Sequence, residues 1–218
     1  MTDYSVIILG GTGQVGAAVV QALLGSSQCR EVIMVTRRAI THPYGERVRC
    51  VVLDTDAASF EAEVAALVRS CTPRTIYGAC CVGIGAGSLK WTEEQMLKLE
   101  VGVAGAFARG CKAGGIERFA LLTAAGTSSS SPIRYSRVMG RKEETVKAVG
   151  FARLVIFRPG IIGGNVHTPG YAALLGRLIP GSWGTIDQDT IAAAFVRELE
   201  RAGATGTSIL HNREMRGG

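Results

Sequence analysis

No stretch of the chain approaches the ~18 uninterrupted apolar residues of a membrane-spanning helix, which excludes a helical membrane protein. The opening residues, MTDYSVIILGG, read as the start of a strand, so no signal or transit peptide is expected within them. An intracellular, cytoplasmic protein is therefore expected. Six cysteines, Cys29, Cys50, Cys71, Cys80, Cys81 and Cys111, are scattered without CxxC spacing. That argues against a metal ribbon or a disulfide framework and for buried, reduced thiols. Three histidines, His42, His167 and His211, stand isolated without ligand spacing, so no metal site is expected. Aromatic residues are only 6% of the chain, and none interleaves with basic residues in the manner of an RNA-binding surface. The net charge of +6 comes from dispersed residues. Nucleic acid is not an expected partner, although a basic pocket for a phosphorylated ligand needs only a few arginines.

What is present is apolar bulk and glycine. Hydrophobic residues make up 47% of the 218 and charged residues 19%, enough for a large core in one domain. There are 29 glycines with no Gly-x-y period, which fits tight βα turns better than collagen. Short apolar runs alternate with helix-length segments. Strands are expected at YSVIILGG, EVIMVTRR, RVRCVVLD, RTIYGACCVG, ERFALLTAAG and ARLVIFRPG, with Pro159 cutting the sixth. Helices are expected at GQVGAAVVQALLGS and SFEAEVAALVRSC, over WTEEQMLKLEVGVAGAFARGCKAGG as one long helix closed by Gly114 and Gly115, and at RYSRVMGRKEETVKAVG. The tail suggests helices near 171–178 and 190–202 and a last strand near Ser208–His211. Strands that read as continuous apolar runs between helices predict a parallel sheet covered on both faces. The expected fold is α/β, a Rossmann-type doubly wound sheet. Residues 1–218 form one domain, of which about 166–218 make a small substrate-side portion packed over the strand ends.

ILGGTGQVGAA places Gly10, Gly13 and Gly16 between the first strand and the first helix. Glycine is needed there so that the chain turns tightly, a pyrophosphate approaches the backbone, and the helix packs close to the sheet. The helix N-terminal amides then face the phosphates. Gly10, Thr12, Gly13, Gln14, Val15 and Gly16 are thus candidate dinucleotide contacts; a glycine-rich turn with no ligand is the competing reading. The second strand ends in Thr36, Arg37 and Arg38, where an NAD site places a carboxylate. Arg37 and Arg38 can pair with a 2′-phosphate, which favours NADP (as NADPH) over NAD. Asp54, closing the third strand, is a candidate acceptor for the adenine amine. Cys80, Cys81 and Val82 end the fourth strand where a cofactor would cross the sheet, the cysteines as small packing residues rather than nucleophiles.

GGTGQVG, VTRR, ACCVG, FALLTAAG, the Tyr135 helix and VIFRPGII together resemble the atypical NAD(P)-binding branch of the short-chain dehydrogenase/reductase superfamily. The likeness is to Tat-interacting-protein-like oxidoreductases and extends over residues 5–165. It implies that Pro159, Gly160 and Ile161 lie near the nicotinamide. It also implies a catalytic set of Ser or Thr after the fifth strand, a Tyr, and a Lys four residues later. Such a lysine lies one helical turn away, lowers the tyrosine pKa and holds the ribose. Tyr135 matches the tyrosine, but Met139 stands at the lysine position and Ala124 at the serine position. Thr123 serves only if the strand end is shifted by one. Lys142 lies two turns beyond Tyr135, roughly 10 Å along the axis, and is not expected to replace the missing lysine. Arg134 or Arg137 folded inward is the alternative cation.

Two functions remain open at this level. One is an NADP-dependent oxidoreductase moving a hydride to or from a small carbonyl or alcohol, with Tyr135 and Thr123 as catalytic candidates. The other is a non-catalytic nucleotide-binding protein with a degraded triad and a regulatory protein partner. A third, an RNA- or complex-associated Rossmann protein, rests on basic charge alone. His167 is a candidate for the substrate cleft. Gly102, Ala104, Gly105 and Ala108 lie on a helix that forms a homodimer face in several branches of the superfamily, with close packing on the sheet as the alternative.

Overall fold

The computed structural model describes residues 3–71, 75–84, 90–163 and 184–217. Strands β1 (Tyr4–Leu9), β2 (Cys29–Thr36), β3 (Val48–Val52), β4 (Thr75–Cys80), β5 (Arg118–Leu122), β6 (Arg153–Phe157) and β9 (Gly206–Leu210) form a seven-stranded sheet in the order β3-β2-β1-β4-β5-β6-β9. Every pairing in it is parallel. This is the Rossmann-type α/β fold expected from the alternating apolar runs. Two further strands, β7 (Ile161–Gly163) and β8 (Thr185–Asp187), pair parallel as a separate ribbon.

The apolar strands bury both faces because side chains alternate across the sheet. Val6, Ile8, Val32 and Met34 point to one face, with α1 (Gln14–Gly25) and α6 (Gln188–Glu200). Ile7, Leu9, Ile33 and Val35 point to the other, where they meet α2 (Phe60–Ser70) and α4 (Ala104–Ala113), with Val146 of α5 (Arg134–Lys147). The single long helix expected over 91–115 divides into three. A short α3 (Glu93–Met96) is capped reciprocally by Thr92 and Gln95, a π-helical segment runs over Leu97–Val103, and α4 follows.

Part of the expected substrate-side portion belongs to the layers of the fold. Arg153 of β6 meets Glu198 of α6 at 2.8 Å, both nearly buried, and β9 extends the sheet beside β6. After β9, the buried Asn212 of α7 (Asn212–Met215) accepts from Gly160 N at 2.9 Å and donates to Gly184 O at 2.7 Å. That tie holds the β7–β8 ribbon to the end of the sheet. The expected helix near 171–178 and His167 lie outside the described residues.

Candidate functional site

The chain leaves β1 and β4 in opposite lateral directions, to β2 and to β5, so these neighbours form the switch point of the sheet. Ligands bind outside the strand ends at such a point. Here the two ends are stitched together, Cys81 N donating to Leu9 O at 2.8 Å. Gly10 follows β1 with φ +86°, and a Cβ on it would lie 2.5 Å from Val82 N. Only glycine lets the turn after β1 pass this close to the loop after β4.

Two cavities, each about 380 Å³, open on either side of this crossing. They share Thr12, Gly13, Cys81, Val82 and Gly83, so they form one groove across the switch point. The first is lined also by Gly10, Thr36, Arg37, Arg38, Ile40 and Thr55. The second is lined by Gln14, Val15, Gly16, Thr123, Tyr135, Met139, Lys142 and Glu100, with Ile84, Leu122 and Ile162 as apolar wall. Asp54, Cys80, Pro159, Gly160 and Ile161 are not among the lining residues. Asp54 is exposed and accepts from Asp56 N at 2.9 Å, and its neighbour Thr55 faces the cavity instead. Cys80 is fully buried. Pro159, Gly160 and Ile161 lie one step away from Ile162, which does reach the wall.

The floor suits an anion. Gly13 is the N-cap of α1 and offers no side chain, and the first turn carries no acidic residue. The first amides of the helix lack intrahelical partners and carry the positive end of its dipole. A dinucleotide pyrophosphate therefore fits this floor on the residues present. Arg37 and Arg38 are exposed at the rim, on a turn fixed by Thr36 Oγ1 donating to Arg38 O at 2.9 Å. The nearby carboxylate of Asp56 is held below its usual range by its contact with Lys98, with a smaller contribution from Arg37, and its 2.8 Å bridge is to Lys98.

In the second cavity the sequence reading missed a buried charge pair. Lys142 is 1% exposed and Glu100 is fully buried. Lys142 Nζ donates to Glu100 Oε2 at 2.8 Å and to Val82 O at 2.6 Å, while Ile84 N donates to Glu100 Oε1 at 2.8 Å. Burial works against the Lys142 charge, yet Glu100 together with smaller contributions from Cys80 and Tyr135 holds its pKa above the ordinary lysine value. Tyr135 is pushed up to about 12, first by burial, then by Glu100, with Lys142 acting the other way. At neutral pH its hydroxyl is a proton donor. Met139 lies between them on α5, packed against Met96 and Val138. Arg137 is not the inward cation: it pairs with Glu93 at 2.9 Å and donates to Ser131 O.

Thr123 rather than Ala124 brings a hydroxyl to the cavity, but that hydroxyl is engaged. It donates to Glu143 Oε1 at 2.9 Å, and Glu143 is gripped by Arg158 Nε at 2.8 Å and Nη2 at 2.6 Å. Both contacts of Thr123 Oγ1 are to acceptors, Glu143 and Phe157 O. The proton is therefore spent there, and the lone pairs are what the cavity can use. Burial raises the thiol of Cys80 above its ordinary value and that of Cys81 well above it, as befits packing residues.

A family model described as NAD(P)H-binding matches residues 10–202. The chain belongs to this NAD(P)H-binding family. Within it, the chain is an atypical short-chain dehydrogenase/reductase of the Tat-interacting-protein-like kind. "Protein fmp52, mitochondrial" of Aspergillus niger is 31% identical over 206 residues, covering 88% of this chain and 85% of that protein. Its name gives a compartment other than the cytoplasm expected from this chain's N-terminus. "Protein HTATIP2" of Rattus norvegicus is 28% identical, covering 98% and 88%. Among solved structures, the oxidoreductase ylbE of Lactococcus lactis superposes with a TM-score of 0.71 at 15% identity, covering 98% of this chain and 95% of that one. MoeE5 with UDP-glucuronic acid and NAD superposes at 0.72, with 13% identity and 95% and 76% coverage. At these identities the structural likeness speaks for the fold of this NAD(P)H-binding protein. Among the described residues no helix is long and apolar enough to cross a membrane, and no group of His, Cys, Asp and Glu could hold a metal.

Proposed function

We propose that the protein is an NADP-dependent reductase of a small carbonyl compound. The observation that carries this reading is the single groove through the switch point, with Arg37 and Arg38 at one end and Tyr135 at the other. Arg37 and Arg38 would take the 2′-phosphate, the first turn of α1 the pyrophosphate, and the Tyr135 cavity the nicotinamide with the substrate. When bound, NADPH supplies the hydride. The protein's part is to orient the carbonyl and give its oxygen a proton, and Tyr135, kept protonated by burial and by Glu100, is the group placed to do so. Thr123 offers lone pairs, so it positions a donor on the substrate rather than the carbonyl oxygen.

A second reading has its own observation. Thr123 is committed to Glu143 and Lys142 to Glu100, which leaves Tyr135 without the freely available partners of a rapid enzyme. A nucleotide-binding protein that regulates or scaffolds a protein partner would need no more than this. Calorimetry with NADPH and NADH, followed by NADPH oxidation against a panel of aldehydes and ketones on the same sample, separates the two. Binding with oxidation that disappears in Tyr135→Phe supports the reductase. Binding without any oxidation supports the regulator, and no binding overturns both.

A further inference from the structure

Lys142 and Glu100 are buried charges that packing alone does not require. Two apolar side chains would fill the space, and replacing such a pair by apolar residues is often neutral or stabilising. The pair lies between three parts of the site. Lys142 stands on α5, two turns from Tyr135 on the same face, and both line the second cavity. Glu100 comes from the π-helical segment. Their remaining bonds run to the backbone of Val82 and Ile84, in the loop that forms the shared floor of the groove.

We propose that Lys142, held by Glu100, is the positioning cation of the Tyr135 site: it locks the Val82–Ile84 loop to α5 and offsets part of the Glu100 charge that acts on the tyrosine, a weaker form of the task a lysine at 139 would perform. The proposal rests on the reductase reading for its purpose, but its geometry does not depend on a nucleotide. The π segment has a reason in it. A wider turn shifts the register of the helix, and the residue it carries inward at this place is Glu100. Glu93 on α3 is taken by Arg137 at the surface, and burial raises the thiols of Cys80 and Cys81 on the β4 side above their ordinary value. Glu100 and Lys142 are thus the two charges that act on the hydroxyl, in opposite directions.

The test is a series of stopped-flow pH jumps of nucleotide-free protein to final values from pH 10 to 11.5, read by tyrosinate absorbance and compared from the low end, where a lysine with a raised pKa keeps its charge. Subtracting the Tyr135→Phe version of each variant isolates Tyr135. Lys142→Gln can still donate to Val82 O and Glu100 but carries no charge. Its ionised fraction of Tyr135 should fall about threefold or more from the native protein's, since a shift of one unit is a factor of ten in the ratio. Lys142→Arg should stay close to native. A merely structural role predicts the opposite sign, because a loosened site admits water and lets Tyr135 ionise more readily. An unchanged or increased ionised fraction in Lys142→Gln overturns the proposal. Should that variant not fold, Lys142→Met gives the same comparison with the same expected sign. Because NADPH is absent, failure here leaves the calorimetric test of the nucleotide site untouched, and the reverse holds.

Discussion

A Cβ on Gly16 would lie 2.0 Å from the carbonyl oxygen of Gly10, closer than any real contact. Gly13, between them in sequence, differs. It is exposed, has φ −75° and ψ 165°, and a Cβ there would meet nothing nearer than 3.4 Å. The glycines of one motif therefore do different jobs. Gly16 lets α1 pack on the turn, while Gly13 keeps the groove floor open. Gly16→Ala should destabilise the fold by about 1–3 kcal/mol, the usual range for overpacking, measured by urea unfolding. Gly13→Val should unfold at nearly the native midpoint yet lose NADPH binding by calorimetry. A folded Gly13→Val that binds normally would place the nucleotide elsewhere.

NADPH should bind more tightly than NADH, and Arg37→Ala should erase the difference. Charge-assisted contacts to a phosphate are the strong ones, so NADPH affinity should fall at least about tenfold, which is about 1.4 kcal/mol. NADH affinity should hardly move. Asp56 lies within electrostatic reach of Arg37, but its bridge is to Lys98. Lys98→Ala should therefore weaken NADPH more than NADH, by freeing a carboxylate beside the arginine. Equal affinities for the two nucleotides in the native protein would sink the 2′-phosphate assignment.

Glu143 joins β5, β6 and α5 through Thr123, Arg158 and Lys147. Its side chain is 1% exposed. Glu143→Ala leaves the Arg158 guanidinium without its partner and should cost about 3–5 kcal/mol, the range for breaking a buried pair. Thr123→Val removes one neutral donor and should cost only about 1–2 kcal/mol. If urea midpoints rank the two the other way, the hydroxyl rather than the ion pair holds this corner together.

Much of this was legible in the sequence, and what was not has physical causes. The strands in the centre of the sheet are buried on both faces, so they read as apolar runs, and the glycine loop reads by position. Lys142 and Glu100 were not legible. A lysine counts as surface in any hydropathy pattern, and its partner is 42 residues away in the chain, so nothing local marks either as buried. The π segment was hidden because it is only seven residues long and lies between helical turns, too short for its own spacing to stand out in the sequence. Arg158 reads as part of the RPG motif, yet its guanidinium serves Glu143, a link between elements that no local pattern contains. The β7–β8 strands are three residues each, too short for a period to show.

Stability should fall on the alkaline side. Burial raises the pKa of Cys81, Cys111, Cys80 and Tyr4, of Cys29 to about 11, and of Tyr135 to about 12. For an acid whose folded pKa is raised, the unfolded chain releases its proton first. The stabilisation is complete below the unfolded value and is lost as pH climbs from there toward the folded one. For the thiols the loss begins near pH 8.5 and for the tyrosines near 10, at up to about 1.4 kcal/mol per unit for each group. Urea midpoints in reducing buffer should be flat from pH 7 to 8 and drop steeply by pH 10. Cys111→Ala should have a visibly shallower alkaline slope, and an unchanged slope would mean the thiol is not shielded as its burial implies.

Met139 is the place to ask whether the site can be rebuilt. It is 1% exposed and packs between Val138 and Met96. Lysine there, one turn past Tyr135, restores the pattern of the superfamily but adds a second ammonium to a cavity with one carboxylate. Met139→Lys alone should be destabilised by about 2–4 kcal/mol, or should lose its charge by a depressed lysine pKa. Moving the charge instead of adding one, as Met139→Lys with Lys142→Met, keeps Glu100 supplied with a single partner and should recover at least half of that loss. Urea unfolding measures both. The same pair of variants speaks to chemistry. A lysine one turn away acts on Tyr135 more directly than one two turns away, and a lowered tyrosine pKa of one unit is worth about tenfold. The swapped variant, with Ala124→Ser to provide a free hydroxyl, should therefore oxidise NADPH with aldehydes faster than the native protein does. A native protein already fast, whose activity disappears in both Tyr135→Phe and Lys142→Gln, would instead mean that the displaced lysine is sufficient where it stands.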